Sequence, residues 1–316
     1  MKRAASWVWP RLSHCLVLGA AVLALASCSV KRVAVHAAAN ALAGGTDVYA
    51  ADDDPELVRA ALPFGLKTIE ALLAQDPRNA KLLLAAASGF TQYSYAFVQQ
   101  EADFVEERDL ARATELRARA RRLYLRALGY GWRGLEVDFP GLRARLQAEP
   151  EKAEAILTGM AGLKKEHVPL LYWTASAWAA AIALAKDDAE LSADLAVVEG
   201  MMRRALALDE GFGQGALHDF FLVYEGSRTS VGGSLARARE HLARTTALSQ
   251  GQRAAPLVSF AETVDVGTQN RVEFERLLNQ ALAIDPDKVP GQRLANLIAQ
   301  RRARWLLGRT DALFIE

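Results

Sequence analysis

Residues 197–250 constrain the fold more than any other stretch, because they read as three consecutive helices built on one pattern. Val198, Met201, Met202, Ala205, Leu206 and Leu208 recur at spacings of three and four, which lays an apolar stripe along one helical face. Asp209 and Gly211 stop that helix. A shorter one follows, crowded with Leu217, Phe220, Phe221 and Tyr224, and residues 227–233 break the chain again around Gly232-Gly233. Ser234 is placed to cap a third helix by accepting from its first free amides, and Leu235, Ala238, Leu242 and Ala247 form its stripe. Helix, stop, helix, stop, helix is the pattern of stacked helical hairpins.

The pattern returns. Ala205-Leu206-Ala207-Leu208-Asp209 is echoed by Thr245-Thr246-Ala247-Leu248-Ser249 and by Ala281-Leu282-Ala283-Ile284-Asp285, with the stops 40 and then 36 residues apart. Tetratricopeptide-type pairs repeat at roughly 34 residues and related helical repeats at about 40–47. Pro286 follows Asp285 and Pro77 follows Asp76, where a residue that cannot continue a helix belongs. The expectation is an all-α fold: a tetratricopeptide-like helical-hairpin array, or α-solenoid, with divergent repeats, forming one domain over residues 52–316.

The N-terminus reads differently. Lys2, Arg3 and Arg11 precede an apolar run at 16–26, which is too short to span a bilayer comfortably. It ends in Leu25-Ala26-Ser27-Cys28, which resembles the box of bacterial lipoproteins, where small residues precede a cysteine that is acylated and becomes residue one. Residues 1–27 are thus expected to be a signal peptide and 28–51 a lipidated N-terminus and tether, with Cys28 the lipid attachment point. Loss of Cys15 with the signal leaves one cysteine, itself acylated, so no disulfide forms within a protomer. Ser29 stands where lipoproteins retained at the inner membrane often carry Asp, which points to the periplasmic face of the outer membrane.

With the three basic residues of the signal set aside, 35 basic residues face 37 acidic ones. That balance offers no basic excess to hold a phosphate backbone and argues against nucleic acid as a partner. Along the body, Asp52-Asp53-Asp54-Pro55 opens a helix to about Gln75, with a kink expected at Pro63. An aromatic helix follows over 79–100, then a basic one from Glu106 that Gly129-Tyr130-Gly131 should end. Residues 132–165 interrupt the pattern, and 167–185 form a nearly all-apolar helix. Its 17 residues from Val168 to Leu184 suit a buried central helix better than a membrane span. The pair 270–284 and 289–307 should close the array, with Trp305, Leu306 and Leu307 sealing its end.

No catalytic residue, metal site or cofactor is indicated. His218-Asp219 is adjacent in a helix, where neighbours point about 100 degrees apart and do not face each other. The histidines lack paired metal spacing, and Gly211-Phe212-Gly213-Gln214-Gly215 has neither the preceding strand nor the Lys-Ser/Thr of a phosphate loop. The aromatic residues carry more interest. Tyr93, Phe97, Tyr172, Trp173, Trp178, Phe220 and Tyr224 fall on helices that line the concave face of a solenoid, where partners bind. They are candidates for a groove, with Arg228 an anion contact at its rim.

The run Gly215-Ala216-Leu217-His218-Asp219-Phe220-Phe221, then Gly232-Gly233-Ser234, Ala238 and His241-Leu242, is similar to the T-component family of tripartite ATP-independent periplasmic (TRAP) transporters. So are Phe274-Glu275-Arg276-Leu277-Leu278 and Arg293-Leu294-Ala295-Asn296 followed by Gln300-Arg301-Arg302-Ala303. The resemblance implies a periplasm-facing lipoprotein of tetratricopeptide-like helices that assembles as a homotrimer. It also implies pairing with a periplasmic solute-binding protein and the holding or passing of hydrophobic or organic-anion ligands, without enzyme activity. The competing reading is a general envelope-assembly adaptor with no transport role. A helical hydrolase is a third, and it requires two carboxylates facing each other across a cleft.

Overall fold

The computed structural model describes residues 46–185 and 189–315, and Cys28, the signal peptide and most of the tether lie outside them. Every long element in it is a helix, and no strand occurs among the described residues. A short α1 (Thr46–Ala50) precedes α2 (Pro55–Gln75), where Asp54 accepts from the amides of Glu56 and Leu57 and Pro55 takes the first helical position. Asn79 caps α3 (Ala80–Ser94), which continues through a π-helical turn, Tyr95–Gln99, into α4 (Gln100–Val105). Next come α5 (Leu110–Asp138), the short α6 (Leu142–Ala148) and α7 (Ala153–Thr158), and the apolar α8 (Val168–Ala183).

After α9 (Ala189–Ala193) stand α10 (Leu195–Leu208), α11 (Ala216–Gly226) and α12 (Leu235–Leu248). Ser234 caps α12, accepting from the Arg237 amide at 3.3 Å, as its position in the sequence suggests. Gly232 before it sits at φ +103, a backbone region that residues with a Cβ avoid. The last third holds α13 (Ala255–Phe260) with a second π-helical turn, Ala261–Asp265, then α14 (Arg271–Leu282), α15 (Arg293–Leu307) and α16 (Thr310–Leu313).

Sequential helices pack as neighbours. α2 lies on α3, α3 on α5, α5 on α8, α8 on α10, α11 on α12 and α14 on α15. Two apolar cores result. The larger reaches from Val58 to Tyr224, and the smaller takes Leu222, Ala238 and the buried residues of α13, α14 and α15. Helix α11 belongs to both, with Leu217, Phe221 and Tyr224 turned to the first core and Leu222 to the second.

Three of the stops expected from the sequence fall in place, while the helix before Asp285 ends earlier, at Leu282. α2 ends at Gln75, α10 at Leu208 and α12 at Leu248. Pro63 does not interrupt α2, which spans it. The expected end at Gly129-Tyr130-Gly131 is also absent, because α5 runs on to Asp138. The reason is packing. A Cβ on Gly131 would lie 2.3 Å from Thr174 Oγ1 and 3.1 Å from its Cα, so the glycine is where α5 presses against α8. Gly in a helix costs about 1 kcal/mol relative to Ala. The neighbouring Trp132, buried edge-on against Trp178 at 5.5 Å, gains more than that by joining the helix.

Trp305 does not seal an open end. It meets Phe104 at 5.4 Å, and Arg301 reaches Glu56 at 3.2 Å, while Arg293 donates to the Ala51 carbonyl at 3.1 Å. Among the described residues, the last long helix thus returns to the first one.

Candidate functional site

The closing seam encloses a cleft of about 250 Å³, lined by Pro55 and Glu56 of α2, Ala96, Phe97 and Gln100 of the α3–α4 rod, and Leu297, Ile298, Arg301 and Arg304 of α15. Its walls are apolar, with two guanidinium groups and one carboxylate among them. Gln100 is only 2 % exposed, and its Oε1 has no hydrogen-bond partner among the described residues. A buried amide oxygen left unpaired is uncommon, because it loses its water without a replacement. Arg301 is held by Glu56 and lies 3.7 Å from Glu101.

Beside the cleft, Arg302 of α15 links the surroundings of the two π-helical turns. Tyr95, the first residue of one turn, stands among Gln100, Asp103, Glu262 and Arg302. Glu262 belongs to the other turn. Arg302 is buried, ion-paired with Glu262 on one side and with Asp103 at 3.0 Å on the other, and its guanidinium lies 4.2 Å from the Trp305 ring. π-turns displace the helical hydrogen-bond ladder and recur at functional sites.

Apart from Trp178, the sequence-expected groove residues separate into three places. Tyr93 and Phe97 pack together at 5.8 Å, both buried, and Phe97 reaches the cleft wall. Tyr172 and Trp173 meet at 4.9 Å, half-buried, with Phe212 5.2 Å from Tyr172. Burial, with the Asp219 carboxylate nearby, pushes the Tyr172 phenol up to about 12. Phe220 stacks on Tyr224 at 5.7 Å, and Arg228 covers the Tyr224 ring at 4.3 Å. The Tyr224 hydroxyl donates to Glu199 at 2.5 Å, and burial with that carboxylate raises it well above the ordinary phenol range. Trp178 is 1 % exposed and packed on Trp132, so it belongs to the core.

His218 and Asp219 diverge, as the helix geometry requires. The His218 Nδ1 lies 2.8 Å from Nδ1 of His241 and its Nε2 3.2 Å from Glu210, while Asp219 accepts from the Thr245 hydroxyl and pairs with Arg253. Burial and the facing His218 ring lower His241 to about 4. The bidentate Arg244 contact holds Glu210 down at about 2. Glu106 and Glu107, an acid pair in the sequence, are tied to Arg117 and Arg309 respectively. Among the described residues, no group of three metal-ligating side chains converges, and no helix is long and apolar enough to cross a membrane.

Sequence reasoning missed Gln100, Arg301, Arg304, Leu297 and Ile298, because the cleft depends on closure between residues some 200 positions apart. One signal was present: Leu297 and Ile298 precede Arg301 and Arg304 by three to seven residues, which puts apolar groups and guanidiniums along one face of α15.

The chain matches the family described as TRAP transporter T-component over residues 51–314. It is also similar to an uncharacterized protein of Treponema pallidum (strain Nichols), 29% identical over 323 residues that cover 97% of this chain and 99% of the relative.

Proposed function

Since the chain belongs to the TRAP transporter T-component family, we propose that it is the periplasm-facing lipoprotein subunit of such a system, docking the solute-binding protein and holding or passing a hydrophobic or organic-anion ligand. The observation that carries this reading is the family match, which extends over most of the chain from Ala51 onward. Its role in TRAP transport is accessory. The helix pairs are read as tetratricopeptide-like units, the assembly as a homotrimer, and Cys28 as the acylated anchor at the outer membrane. No residue is assigned to catalysis. The apolar seam cleft, with Phe97 in its wall and Arg304 among its lining residues, supports ligand holding, and the Tyr172 and Phe220–Tyr224 clusters remain candidate partner contacts.

The test is co-purification. Affinity capture of the full chain from detergent-solubilised envelopes should recover a periplasmic solute-binding protein, and sedimentation should give three copies per particle. Recovery of outer-membrane assembly factors with no binding protein, at every solute concentration tried, would overturn the transport reading in favour of an envelope adaptor.

A further inference from the structure

The seam cleft is polar at only a few points, and those points are not equally occupied. On one side Arg301 lies 3.2 Å from Glu56 and 3.7 Å from Glu101, and Arg59 reaches the same two carboxylates at 3.6 Å each. Two guanidiniums and two carboxylates thus neutralise one another. Arg304, three residues further along α15, is exposed in the last turn and has no ion pair among the described residues. It is the charge around the cleft that nothing in the chain balances.

Gln100 supplies a second unspent group. Its side chain is hydrogen-bonded to the Tyr95 hydroxyl, yet Oε1 has no partner and the residue is only 2 % exposed. The apolar residues that share the cleft with it, Phe97, Leu297 and Ile298, have no donor to give. A buried acceptor in that condition is paired only when something carrying a donor enters.

These two groups set the chemistry of an occupant. Arg304 calls for an anion, and a guanidinium fork matches a carboxylate through two parallel hydrogen bonds. Gln100 Oε1 calls for a donor, and the positive surplus around the cleft repels an ammonium, so the donor is neutral. A hydroxyl is the smallest that serves. Benzene fills an apolar cavity of about 150 Å³, so the 250 Å³ here suits a molecule of about ten non-hydrogen atoms.

We propose that the seam cleft takes a small hydroxycarboxylic acid, with its carboxylate on Arg304, its carbon chain against Phe97, Leu297 and Ile298, and its hydroxyl on Gln100 Oε1. Gln100 then separates such an acid from the same acid without the hydroxyl, because the plain acid leaves the buried oxygen unpaired. This deepens the ligand-holding reading given above and rests on it.

The test is calorimetric titration of the full mature chain in lipid nanodiscs with hexanoate, its 2-, 4- and 6-hydroxy derivatives, and 6-aminohexanoate. At least one hydroxy isomer should bind about tenfold tighter than hexanoate or the amino acid. Gln100→Leu should abolish that preference by weakening the hydroxy acid alone. Arg304→Gln, at an exposed position where folding is not at stake, should weaken hexanoate and the hydroxy acid together. Hexanoate bound as tightly as every hydroxy isomer, yet weakened by Arg304→Gln, overturns the hydroxyl selection and keeps the cleft as a ligand site. Equal binding of 6-aminohexanoate and the best hydroxy acid overturns the neutral donor. If no acid binds while the same protein still captures a solute-binding protein, this proposal falls and the accessory role stands.

Discussion

Where α5 meets α8 the contact is buried: Gly131 admits Thr174, and Trp132 lies edge-on to Trp178 with neither indole exposed. Where α15 meets α2 and α4, Trp305 packs on Phe104 but the polar links are made by arginines. Arg302 joins Asp103 to Glu262, Arg301 joins Glu56 to Glu101, and Arg309 reaches Glu107. The first interface joins helices about 40 residues apart and can form early, from local pairs. The second joins the first described helices to the last long one, some 200 residues further on. Apolar burial suits the first because it needs only two faces of matching shape. Charged pairing suits the second because it selects one register among several similar helix faces.

That contrast can be tested by breaking each side. Trp132→Ala should remove the larger stabilisation, about 3–5 kcal/mol in urea unfolding, because the indole leaves a cavity that its neighbours cannot fill. The loss should be the same in low and high salt. Arg302→Ala should cost about 1–3 kcal/mol, since it takes the guanidinium from Glu262 while Asp103 keeps Arg117 at 3.0 Å. Its effect should shrink as salt rises, because Asp103 and Glu262 are partly exposed. A salt-independent loss would show that Arg302 acts by packing alone.

A third perturbation lies inside the smaller core. Asp265 ends the second π-turn at 0 % exposure, with neither carboxyl oxygen hydrogen-bonded among the described residues. Burial, with the Glu273 carboxylate facing it, pushes it up to about 7, against the opposing pull of Arg239 and Arg276. The folded chain therefore binds more protons here than the unfolded chain between about pH 4 and 7, and stability at this site is lost as pH rises through that window. Asp265→Asn should remove the loss, making the variant more stable than the parent at pH 8 by on the order of 2 kcal/mol, with the two converging towards pH 4. Equal stability at pH 8 would show that the carboxyl is ionised without penalty. The smallest effect belongs to Arg301→Ala, within about 0.5 kcal/mol, because both partners of that pair are in reach of water.

Much of the fold could be read from local chemistry. Asp54, Asn79, Ser234 and Asn270 all cap the helices they precede, and the apolar stripe of 198–208 is the buried side of α10. Gly129-Tyr130-Gly131 misled because Gly131 is a packing site, its missing Cβ making room for Thr174 of α8, and the helix runs on through Gly129 although nothing packs there. The site was less legible. Phe97 was identified as an aromatic on an inward helix, but Trp178 has the same sequence character and lies in the core. No local pattern separates those two cases, since the difference lies in whether α15 or α5 comes to rest on the ring.

The π-turn at Tyr95–Gln99 acts as a phase slip in an otherwise continuous rod. One extra residue turns everything downstream by about 100 degrees, so α3 can aim its apolar edge inward while α4 swings Glu101 and Asp103 towards α15. Deleting a single residue from 95–99 would leave the rod helical and its composition almost unchanged. It would nonetheless rotate both acids away from their arginines, and the circuit from last helix to first would come undone at one step of arithmetic.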